Sequence, residues 1–202
     1  MDVEEVAPGL QRWTAWHEEW EESVASLALE TDDGLVLVDP LEPPPAFARP
    51  AHVLLTVFWH ARGTAALSGA RVWASPQAAQ TLANRGVELT DPIRESTTLP
   101  GGVRAFATAR RGEVAYWLPR QRAVAAGDVL LGAGAKPRAT TEPLRLCPER
   151  WLGKATHDDL RASLRPLLEL PVSRVLVSHG RPVLRGGARA LAAVLAGDGG
   201  RD

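Results

Sequence analysis

Apolar runs broken by turn residues set the first picture of this chain. Two β-prone runs flank Asp32, Asp33 and Gly34, which predicts a hairpin with strands near 23–30 and 35–38. The prolines of "EPPPAFARP" then mark a connecting loop, and "AHVLLTV" reads as a short strand buried on both faces. A small-residue helix is expected over 62–69. In "RVWASPQAAQTLANRG" a strand leads to Ser75 as N-cap, Pro76 at the first helical position and a stop at Gly86. "GVRAFAT", "EVAYWLP" and "RAVAAGDVLLG" are further strand candidates, while 133–151, weakly periodic and rich in proline, reads as a surface loop. Thr156 starts a helix with acids in its first turn, "SRVLVSHG" is a last buried strand, and "GGARALAAVLAG" a closing helix. Two β-rich halves, each followed by helices, predict an α/β fold in which two packed sheets carry helices outside, a four-layer αββα sandwich.

Composition narrows this picture. A chain of 202 residues, 45% hydrophobic, suits one domain spanning 1–202, with 198–202 as a frayed tail. A formal net charge of -1 gives no reason to expect a nucleic-acid partner. There is no uninterrupted apolar run of about 18 residues, and the acidic start "MDVEEVAPGL" is unlike a basic signal peptide, so a cytoplasmic protein without a membrane span is expected. The single cysteine, Cys147, excludes an internal disulfide and a thiolate zinc cluster. Positive charge is nearly all arginine, which stays charged when buried and forks onto carboxylates.

Four landmarks, in order, resemble the metallo-β-lactamase superfamily over nearly the whole chain. They are "GLVLVDPL", ending near Asp39; "VLLTVFWHARG", where the family has Thr-His-x-His-x-Asp-His; "ARRGEVAYWLPRQRAVAAGDVLLG", with Gly-Asp at Asp128; and "RVLVSHG", with His179 in the final turn. The resemblance implies a metallo-β-lactamase-type sandwich and a dinuclear centre that activates water for hydrolysis. Residue by residue, however, Thr56 matches and the ligands after it do not. Val57, Trp59, Ala61 and Arg62 stand at the ligand positions, and no His lies in 108–112. Asp128 and His179 remain as metal-ligand candidates. His60 falls on a spacer expected to point away from the metals, and only a one-residue shift would turn it inward.

A buried Asp128 without its metal needs another cation or a proton. One reading pairs it with Arg62, helped by Arg110 or Arg111; the other leaves Asp128 capping a turn and Arg62 on an exposed helix face. Of the seven tryptophans, some, Trp59 among them, would line the cleft and others would pack the core. "WHEEWEE" reads as a solvated hairpin approach, since neighbours such as His17, Glu18 and Glu19 face opposite ways on a strand. No Gly-x-Ser-x-Gly elbow supports a serine hydrolase.

The leading expectation is a hydrolase-like pseudoenzyme that needs no cofactor and binds a small anionic or aromatic molecule in the old cleft. Two rivals stand beside it. One is a mononuclear metallohydrolase of ester, thioester or similar bonds that uses zinc or another divalent metal; the other is a structural or oligomeric interaction protein.

Overall fold

Period-two alternation becomes two sheets in the computed structural model, which describes residues 2–197. The first sheet runs in chain order through β1 (Val3–Ala7), β2 (Leu10–His17), β3 (Glu22–Thr31), β4 (Gly34–Val38), β5 (His52–Leu54), β6 (Arg71–Ala74) and β7 (Asp91–Pro92). Its first four strands are antiparallel; β4 to β7 are parallel. The second sheet is built from β8 (Arg104–Ala107), β9 (Val114–Leu118), β10 (Ala123–Ala125) and a later strand, β13 (Arg174–Leu176), in the order β13-β10-β9-β8. Between them in sequence, β11 (Leu130–Gly132) and β12 (Leu144–Leu146) form a separate antiparallel pair.

Alternate residues of each strand feed different layers. Leu27, Leu29, Val36, Val38 and Leu54 meet Tyr116, Leu118, Ala125 and Leu176 between the sheets. Their neighbours Ala28, Leu37, Val53 and Leu55 face the other way, onto Leu82 of helix α1 (Ala79–Asn84). Trp117, Val124 and Val175 likewise face outward onto Leu160 and Leu164 of α2 (His157–Leu164) and Leu191 and Leu195 of α3 (Gly187–Ala196). The result is the expected four-layer sandwich, with an apolar seam between the sheets. Each fully buried leucine contributes about 2 kcal/mol to holding it.

The predicted hairpin forms as β3 and β4, and Thr156 caps α2 in a reciprocal box with Asp159. Two expectations change, and the tryptophan-rich opening, for which no element is predicted, forms β1 and β2. The helix expected over 62–69 is one 3-10 turn at Thr64–Ala66, because Arg62 leaves helical geometry and Gly63 and Gly69 flank the segment. The surface loop expected over 133–151 contains β12, and Leu144 and Cys147 are buried there. Helix α1 does begin after Pro76, through a 3-10 turn, but the Ser75 hydroxyl turns to Gln77 instead of capping it. The tail expected at 198–202 lies outside the described residues, and no described helix is long and apolar enough to cross a membrane.

Candidate functional site

The chemistry-bearing residues collect where parallel strands of both sheets end. Asp39 follows β4, Thr56 and His60 follow β5, Asp128 follows β10 and His179 follows β13. Asp39 takes a positive φ of 50°, uncommon for a residue with a side chain. Its carboxylate holds that turn by accepting from the Thr56 backbone N–H (2.8 Å), the Thr56 hydroxyl (2.5 Å) and His60 Nδ1 (2.8 Å). Asp128 is set by its own tight turn. Gly127 has φ +56°, and a Cβ there would lie 2.6 Å from Glu113 Oε1 and 2.8 Å from Thr56 Oγ1. Glu113 Oε1 accepts from the backbone N–H of Asp128 (2.7 Å) and of Val129 (3.1 Å), so the buried carboxylate of one strand fixes the turn of another.

Two imidazoles converge on one oxygen of Asp128. His60 Nε2 lies 3.0 Å and His179 Nε2 3.2 Å from Oδ1, while Trp59 Nε1 donates to Oδ2 at 2.8 Å. Each ring gives its other nitrogen to a carboxylate, His60 Nδ1 to Asp39 and His179 Nδ1 to Glu22. Arg110 stands 3.9 Å from Asp128 Oδ2 and 3.3 Å from Glu113, its guanidinium 4.2 Å above the Trp59 ring and 5.7 Å from Trp151. Trp20 covers His179, ring to ring at 5.2 Å. Beneath this cover His60, Asp128 and His179 are 0%, 1% and 2% exposed.

Burial and charge oppose each other here. Burial disfavours the His60 imidazolium, but Asp128 and Asp39 on either side overcome it and raise its pKa to about 9. The same contest raises His179, through Asp128 and Glu22. Burial would push Asp128 up, yet the two imidazoles hold it well below the usual carboxylate range. Burial and the nearby Asp128 charge push Glu113 up to about 7.

The structure thus gathers Asp39, Trp59, His60, Arg110, Asp128 and His179 and leaves Arg111 exposed. His60 corrects the expectation that it points away. Residues Phe58–Ala61 wind as a 3-10 turn, whose tighter pitch carries the spacer position inward. Arg62 is neither solvent-facing nor within ion-pair distance of Asp128 among the described residues. It is largely buried in the field of Asp39 and Asp128, with Nη1 unpartnered, and Arg110 makes the contact expected of it. The tryptophans divide: Trp13, Trp73 and Trp117 are core, Trp20, Trp59 and Trp151 roof the site, and Trp16 is exposed. Glu18 and Glu19 are exposed, as expected of a solvated turn. Sequence reading missed Glu22 and Glu113. The signal available for each was a carboxylate at the mouth of a strand, Glu22 opening β3 and Glu113 standing just before β9.

Among the described residues, one group of side chains has the types and spacing to hold a metal ion. A single cation fits. His60 Nε2, His179 Nε2 and an Asp128 oxygen all lie within 4.8 Å of one another. His60 Nε2 and Asp128 Oδ1 are buried without a hydrogen-bond partner, their contact being short but misaligned for a proton. Imidazoles that give Nδ1–H to a carboxylate and offer Nε2 are the usual support of metal-bound histidine. Without a cation, a proton on His60 supplies positive charge beside Asp128.

No protein-family model and no curated relative matches the chain. Solved structures do. A metallo-β-lactamase from Pontibacter korlensis superposes with a TM-score of 0.69 at 17% identity, covering 98% of this chain and 99% of that one. One from Erythrobacter litoralis gives 0.67 at 18%, over 96% and 95%. The FIM-1 metallo-β-lactamase of Pseudomonas aeruginosa, in its mono-zinc form, gives 0.66 at 18%, over 96% and 94%.

Proposed function

Since the chain has the metallo-β-lactamase fold, we propose that its centre is rebuilt and that it is a non-hydrolytic member of that fold, whose two-metal site has become one closed cluster. His60, Asp128 and His179 would hold at most a single cation, in the service of the fold. The observation that carries this is the seal: all three groups are at most 2% exposed under Trp59 and Arg110. Catalytic metal sites keep a coordination position open to water and substrate, whereas closed ones are structural. A small anionic or aromatic ligand in the old cleft would meet Trp59, Arg110 and Trp151 at the roof.

A single-cation hydrolase is the second reading, favoured by the two Nε2 atoms turned toward Asp128. A cation held there would supply an acidified water. Asp39 and Glu22 would orient its imidazoles, and Trp59 would hold the far oxygen of Asp128. Metal analysis of protein purified without chelator, run beside hydrolysis assays on a β-lactam, a thioester and a phosphoester, separates the two. We expect no more than one divalent ion per chain, diminished in Asp128→Ala and His179→Ala, and no turnover above that of His60→Ala. Turnover abolished by chelator and by these substitutions would overturn the non-hydrolytic reading.

A further inference from the structure

A second, concave site lies beside the cluster, on the outer side of the second sheet. Helix α3, strand β12 with the loops on either side of it, and α2 line an open cavity of about 840 Å³. That is within the size range of small-molecule sites. Its apolar walls come from Leu144 and Leu146 on β12 and from Ala190, Ala193 and Val194 on α3. Arginines at 138, 145, 150 and 161 outnumber the acids Glu142 and Glu149 around it. Some of that charge is engaged. Arg161 bonds Asp158 at 2.8 Å, Arg145 donates to the Ala135 carbonyl at 2.8 Å, and Arg138 also has a partner. Glu149 accepts from the His157 backbone N–H at 3.3 Å. Arg150, at the rim, is exposed and makes no hydrogen bond or ion pair among the described residues.

We infer that this cavity binds an amphipathic organic carboxylate of small-molecule size, its apolar body between β12 and α3 and its head on the arginine rim. A planar guanidinium matches a carboxylate through two parallel hydrogen bonds, and an apolar wall beside it favours a chain or ring over a free inorganic anion. The three apolar α3 residues lie at positions 190, 193 and 194, helical spacing that puts them on one face toward the cavity. The site does not depend on the buried cluster, so it stands whichever reading of that cluster holds.

Isothermal titration of the full chain with decanoate tests this, with decan-1-ol as the uncharged probe. Decanoate should bind saturably at one equivalent, and decan-1-ol at least tenfold more weakly. Ala193→Trp fills the cavity from an exposed helix position and should weaken decanoate at least tenfold; Ala190→Phe serves the same purpose if the first variant loses its circular-dichroism spectrum. Arg150→Ala should weaken it about threefold or more, while Arg120→Ala, on a remote surface, and Asp128→Asn, in the buried cluster, should not change it. Unsaturable binding, equal affinity for the alcohol, or full affinity in both cavity-filling variants would overturn the assignment.

Discussion

Replacing Gly127 by alanine puts the wiring of the buried cluster to a quantitative test. The backbone there is left-handed at φ +56°, which costs a residue with a Cβ about 1–2 kcal/mol. The new methyl would also sit 2.6 Å from Glu113 Oε1, so that carboxylate must retreat from the two backbone N–H groups it accepts, at 2.7 Å and 3.1 Å. Hydrogen bonds to a charged group contribute about 1.5–3 kcal/mol each, and losing even one brings the total to roughly 3–5 kcal/mol. For a chain of this size each kcal/mol lowers Tm by about 2–4 °C, so the expected fall is about 6–20 °C. Gly86→Ala is the matched control. Its φ is +72°, but a Cβ there meets nothing within 4 Å, so only the backbone cost of about 1–2 kcal/mol and a fall of about 2–8 °C are expected. Differential scanning fluorimetry at pH 8, where Glu113 is mostly ionised, compares the two. Equal losses in both variants would refute the claim that Glu113 and the Gly127 turn are one unit.

Two further outcomes follow from the packing. Tyr116 is fully buried and its hydroxyl donates to the Leu55 carbonyl at 2.7 Å, so Tyr116→Phe should cost about 1–2 kcal/mol by chemical denaturation; an unchanged midpoint would mean that the bond across the seam contributes nothing. Cys147 is buried and its thiol pushed up to about 12, by burial first and then by the Glu113 charge, so Ellman's reagent should leave the native protein untouched and react fully in denaturant; prompt native reaction would contradict the packing of β12.

What was legible in the sequence is what depends on neighbours along the chain. The turn at Asp32–Gly34 sits between strands whose side chains alternate, and Thr156 reaches only three residues ahead, so both announce themselves locally. Strand β12 does not, because three residues among prolines carry too little periodicity. The cluster was half legible. Asp39, Asp128 and His179 stand at strand ends, where order along the chain locates them. Spacing alone misplaces His60, because a 3-10 turn changes which position faces in. Glu22 and Glu113 acquire their roles from His179 and Asp128, 157 and 15 residues away, and no local pattern encodes such a pairing.

The cluster draws on both sheets: Asp39 and His60 belong to strand ends of the first, Asp128 and His179 to those of the second. It therefore works as a clasp at the open end of an otherwise greasy seam, with Tyr116 and Leu55 as a second stitch further in. Loosening either sheet strands charge from the other in a dry interior, so the two leaves are expected to part together, as one calorimetric transition.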